Sequence, residues 1–120
     1  MIEVRCVYYN AKTKGDDYFI FTDVEVKGHS ENNGYTMNNR ICAGISACCF
    51  GIKDLINKAQ YELEIRSGYF HCTTFKTKDA YNKDKQSAYA LNTLVCQLYS
   101  IYKQYPSSFK CFDLIDEKEN

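Results

Sequence analysis

The 120-residue chain has no excess charge: 15 basic and 15 acidic residues are mixed along it and the formal net charge is zero. No stripe of Lys and Arg is there to track phosphates, so nucleic acid is not expected as a primary partner. Long apolar runs are missing as well, none approaching the roughly 18 residues of a membrane span. Met1-Ile2-Glu3-Val4-Arg5 alternates like a strand rather than a secretory leader, and the expectation is a cytoplasmic protein with no membrane partner. There is no Cys-x-x-Cys, and His29 and His71 are the only histidines. A zinc site would need ligands gathered from scattered positions, so neither metal nor cofactor is expected. Repeats and low-complexity segments are also lacking.

What is present suits one globular unit. Hydrophobic residues make up 45% and charged residues 25% of the chain, a balance that builds a core without disulfides or metal. The length fits a single domain over residues 1–120. The seven cysteines, Cys6, Cys42, Cys48, Cys49, Cys72, Cys96 and Cys111, are odd in number and lack framework spacing, so they read as thiols rather than disulfides.

Periodicity places the elements. Ile2 to Tyr9 alternates as a half-buried strand, Asn10 to Asp17 has turn chemistry, and Tyr18 to Lys27 alternates again, which predicts an antiparallel hairpin. Gly28 to Asn39 is a polar loop rich in Gly and Asn. Asn38 or Asn39 is then expected to cap a helix with its buried stripe at Ile41, Ile45, Cys48 or Cys49, Ile52, Leu55 and Ile56, ending near Ala59. Tyr61 to Arg66 and Tyr69 to Phe75 form a second hairpin around Ser67-Gly68. A second helix carries Ala88, Leu91, Val95, Leu98, Tyr102 and Tyr105 until the lone proline, Pro106, stops it, and a last strand covers Ser108 to Ile115. The order β-β-α-β-β-α-β predicts an α+β domain with two helices on a mainly antiparallel sheet.

Among the cysteines, Cys42 is set apart by position, since it is expected in the first turn of the first helix, just after a Gly/Asn-rich loop. Helix-start amides and the helix dipole favour a thiolate there. A thiolate that cleaves amides also needs a base and donors for an oxyanion. His29, at the start of the same loop, is the candidate base, and the amides of Ala43 and Gly44 are candidate donors. Ser46 lies one turn beyond Cys42 on the same face. His71, beside Phe70 and Cys72 in a strand, reads as a packed or surface histidine.

The stretches Gly28-His29-Ser30, Gly34, Ile41-Cys42-Ala43-Gly44-Ile45-Ser46-Ala47, Phe50-Gly51 and Gly68-Tyr69-Phe70-His71 together resemble the ribosomal-processing cysteine protease (Prp, YsxB-like) family over nearly the whole chain. The resemblance implies a homodimeric α+β cysteine endopeptidase in which Cys42 is the nucleophile, His29 the catalytic histidine, and Ser46 the family's serine. It further implies removal of the N-terminal extension of a large-subunit ribosomal protein, number twenty-seven, in low-GC Gram-positive bacteria. The family's acidic residue three before the cysteine is Asn39 here, which can orient an imidazole through its amide oxygen or cap the helix.

The alternative is a catalytically silent or phage-type peptide-binding and assembly module of the same fold, its partner a phage structural protein. A thiol-based redox sensor is the third reading. A homodimer is expected through the sheet face bearing Val7, Tyr9, Phe19 and Phe21, which is too apolar for water and too charged for core. The loop 32–38 is expected to order around peptide.

Overall fold

The computed structural model describes residues 1–13, 16–29, 36–74 and 85–117. The expected order of elements is found: β1 (Ile2–Thr13), β2 (Asp16–Lys27), α1 (Thr36–Ile52), β3 (Tyr61–Arg66), β4 (Tyr69–Thr74), α2 (Lys85–Gln104) and β5 (Phe109–Asp116). The five strands form one sheet in the order β3-β4-β2-β1-β5. Three pairings are antiparallel and one, β1 with β5, is parallel. The return from α2 to the far edge of the sheet makes that parallel pair, as a helical crossover permits.

Both helices pack on this sheet through the stripes that periodicity marks, except that Leu55, expected in the first stripe, lies past the helix end and is exposed. Ile41, Ile45, Cys49 and Ile52 of α1 and Leu91, Leu94, Val95 and Leu98 of α2 join Ile2, Val4, Cys6, Val24, Val26, Phe70 and Cys72 in one core cluster. Burying each such aliphatic side chain contributes about 1.5–3 kcal/mol. All seven cysteines are thiols rather than disulfides. Burial pushes the thiols of Cys6, Cys49 and Cys72 up to about 12, so these three serve as core atoms at neutral pH. Among the described residues no helix is long and apolar enough to cross a membrane.

Three boundaries differ from the sequence expectation. The first hairpin is longer, because pairing runs through Asn10↔Phe19 out to Thr13↔Asp16 across the supposed turn. The helix α1 begins at Thr36, ahead of the expected Asn38 or Asn39 cap. It also ends early, at Ile52, followed by a 3-10 turn over Lys53–Leu55. The Asn57 N–H donates to Ser87 Oγ at 2.9 Å, and Asn57 Oδ1 accepts from the Ala59 N–H at 3.0 Å, an Asx turn that redirects the chain toward β3.

The predicted dimer face is also altered. Val7 pairs with Asp23 but Tyr8 pairs with Phe21, so Thr22 is an extra residue in β2, its hydroxyl reaching Val7 C=O at 3.4 Å. Such a bulge breaks the period-two alternation. Of the four residues expected on an exposed face, Val7, Tyr9 and Phe21 are buried within the chain and Phe19 alone is exposed, at 50%. Of the loop expected over 32–38, the backbone from Thr36 onward is helical, while residues 30–35 and the side chains of 36–39 lie outside the described residues.

Ser87 ties the first turn of α2 to the chain entering β3, donating weakly to Leu55 C=O at 3.5 Å while accepting from Asn57, and it is fully buried. Ser87→Ala leaves the Asn57 amide without that acceptor and is expected to cost about 1–2 kcal/mol, read as a lower urea midpoint with unchanged slope.

Candidate active site

The site is assembled at the end of the sheet where β2 finishes, β1 starts and the β3–β4 hairpin turns. A small cleft of about 50 Å³, partly open to solvent, lies there between the sheet and α1. Its sheet wall is apolar, with Ile2, Val26, Ile65 and Phe70; its helix wall carries Cys42, Ile45, Ser46, Cys49 and Phe50; its rim carries Gly28, His29, Arg66, Gly68 and Tyr69. The predicted pair is therefore brought to one cavity, Cys42 from the helix and His29 from just past β2. Cys42 is half-buried and His29 exposed. Cys42, Ser46 and Cys49 line one wall because residues four and seven apart share a helix face.

Two glycines seat the histidine. Gly68 closes the two-residue turn between Arg66 and Tyr69 with φ +70°, a conformation that side chains resist. A β-carbon on Gly68 would collide with the His29 imidazole at Nε2, so the ring lies directly against this turn. Gly28, at φ +95°, would drive a β-carbon into the carbonyl of Met1, and its N–H donates to Gly68 C=O at 2.9 Å. The chain leaving β2 is thus clasped between the start of β1 and the hairpin turn, with His29 the next residue.

The helix wall departs from expectation in its backbone. Counting from Thr36, Cys42 is the seventh residue of α1 and sits in the second turn rather than the first. Its own amide and those of Ala43 and Gly44 fall within the i to i−4 ladder, so they are not the free helix-start donors that the sequence suggested. Gly44 faces α2, where a β-carbon would lie 4.0 Å from Ile101 Cδ1. Asn39 is inside the helix and is not its cap, and its side chain lies outside the described set.

His71 stands apart from the cleft. Its Nε2 lies 3.2 and 3.1 Å from the two carboxylate oxygens of Asp23, whose carboxylate also meets Arg5 at 3.6 Å. Beside it the Tyr69 hydroxyl donates to Glu25 at 3.0 Å, which holds the phenol's proton and raises its pKa. Sequence reasoning missed the part played by Arg66. Its guanidinium carbon sits 4.2 Å from the Tyr69 ring centroid and its Nε 3.1 Å from Glu64, at the cleft rim. The alternation of Glu64, Arg66 and Tyr69 around Ser67-Gly68 was the available signal.

Gly68→Ala combines a positive-φ penalty with a clash against His29. It is expected to lower stability by about 1 kcal/mol or more in urea unfolding. In nuclear magnetic resonance spectra the imidazole signals of His29 should shift while those of His71 keep their positions.

The family described as cysteine protease Prp matches residues 1–110. No curated protein sequence matches the chain. Among solved structures, an essential ribosomal processing protease Prp from S. aureus in complex with a substrate peptide has a TM-score of 0.65 at 20% identity, covering 98% of this chain and 100% of its own. The same protease with a covalently linked product peptide gives 0.65 at 23% identity over the same shares. SMU.848 from Streptococcus mutans gives 0.68 at 14% identity, covering 98% of this chain and 96% of its own. The chain belongs to the cysteine protease Prp family.

Proposed function

We propose that this cysteine protease uses Cys42 as nucleophile and His29 as general base to remove the N-terminal extension of a large-subunit ribosomal protein, number twenty-seven. The observation that carries the reading is the convergence of Cys42 and His29, from separate elements, on the walls of one cleft. His29 takes the thiol proton as sulfur attacks the scissile carbonyl carbon, then returns it to the departing amine, leaving a thioester on Cys42. Water, deprotonated by His29, hydrolyses the thioester. Ser46 stands one turn from the sulfur as a positioning residue, and Asn39 is the candidate to orient the imidazole. The ribosomal substrate is favoured by the S. aureus relative, a ribosomal processing protease solved with a substrate peptide. The enzyme is further proposed to act in the cytoplasm as a homodimer, on the strength of the family resemblance.

Incubation of the pure protein with the ribosomal protein carrying its extension, read by mass spectrometry, tests the reading. Wild type should cut once. Cys42→Ala should give no product, His29→Ala should be slower by roughly 10²–10⁴-fold, and Ser46→Ala should lose less than about tenfold. Peptide affinity without product, unchanged in Cys42→Ala, would instead identify a silent binding module. Light scattering at micromolar concentration should return twice the chain mass, and a monomer mass would remove the dimer from the account.

A further inference from the structure

The sheet has two edges, and one of them leads out of the cleft. The strand β3 pairs with β4 alone, and among the described residues no strand lies on its other side. Its last residues, Ile65 and Arg66, line the cleft that holds Cys42 and His29, whereas no residue of the opposite edge strand β5 does.

The direction of each β3 backbone group follows from the register. Gly28 N–H bonds to Gly68 C=O, so Gly68 and, two residues on, Phe70 face β2. The intervening Tyr69 and His71 then face β3 and bond with their partners Arg66 and Glu64. That alternation turns the N–H and C=O of Leu63 and Ile65 away from β4, to the open edge. The start of the strand agrees, because the outward amide of Tyr61 donates to Asn57 C=O at 3.0 Å instead of to β4. An outward row of four backbone groups thus runs straight into the cleft.

The side chains beside this row are also left unfinished. Leu63 and Ile65 point to the core side yet are only half-buried, and Phe50, across the cleft from Ile65, is 54% exposed. On the other face of the strand stand the exposed, charged Glu62, Glu64 and Arg66. Charged outward residues of this kind keep an edge from pairing with random strands.

We infer that the β3 edge is the substrate-binding strand: an extended peptide pairs with Leu63 and Ile65 as a sixth strand and is delivered by that pairing to Cys42. The inference rests on the protease reading above. The peptide it fits alternates apolar side chains, packed on Leu63, Ile65 and Phe50, with hydrophilic ones facing Glu62 and Glu64. Main-chain bonds supply affinity and the alternate side chains supply selection.

The test is a scan in which each backbone amide of the ribosomal extension peptide is N-methylated in turn. Cleavage by wild type should fall roughly tenfold at every second position and little between them, since each paired amide loses one hydrogen bond. In parallel, amide exchange of Cys42→Ala with the unmodified peptide should slow at Leu63 and Ile65 and stay constant at Glu62 and Glu64. Leu63→Pro removes an outward donor but no bond to β4, so it should raise KM with kcat nearly kept. A scan without alternation, or exchange unchanged at Leu63 and Ile65, overturns the inference while leaving the protease intact. Failure to cut the unmethylated peptide counts against the ribosomal substrate alone, and the same scan on the fastest-cut member of a proteome-derived peptide library then decides the edge.

Discussion

The site depends on the clasp at Gly28 and Gly68. One hydrogen bond of 2.9 Å joins the residue before His29 to the hairpin turn, and two positive-φ glycines let three chain segments meet where side chains would collide. Without it the segment beyond β2 would leave the sheet as an ordinary surface loop, and His29 would have no fixed relation to α1. The conformational strain is small because glycine accepts these angles freely; its cost is the entropy of ordering glycine on folding. The sheet and the α1 stripe fix the opposite wall independently, through core packing, so the two catalytic candidates are held by different kinds of force.

This division explains how the site can be both precise and accessible. Cys42 is anchored by neighbours that are core residues, Ile41 and Ile45, and it emerges on the cleft side of a rigid helix. His29 is held at an exposed rim, its ring against the Gly68 turn. The other cleft cysteine, Cys49, is buried and its thiol is pushed up to about 12, so it is a poor nucleophile at neutral pH despite sharing the wall. Burial therefore separates two cysteines only two turns apart.

Much of this was legible in the sequence where a single physical rule governed it. The α+β order, the helix stripes and the second hairpin with its Ser67-Gly68 turn followed from periodicity and turn chemistry. His29 and Cys42, singled out by the expected helix start and by the family-like residues around them, line one cleft, but the helix-start argument does not hold, since α1 begins about one turn earlier than expected. Thr36 and Met37 carry no strong start signal, and two asparagines in the helix read locally as caps. The bulge at Thr22 was invisible because the even-numbered residues of β2 are apolar on both sides of it, so the pattern gave no sign that the pairing shifts. The seat of His29 on Gly68 is a contact between residues far apart in sequence, which no local pattern encodes.

The central claim is that Cys42 reacts because His29 is seated beside it. The most direct measurement is the alkylation rate of each cysteine by a small electrophile such as iodoacetamide, resolved by peptide mass spectrometry, in wild type and His29→Ala. Cys42 should react faster than the exposed Cys96, and the excess should vanish in His29→Ala. Equal rates at Cys42 and Cys96, or a Cys42 rate indifferent to the loss of His29, would contradict the account.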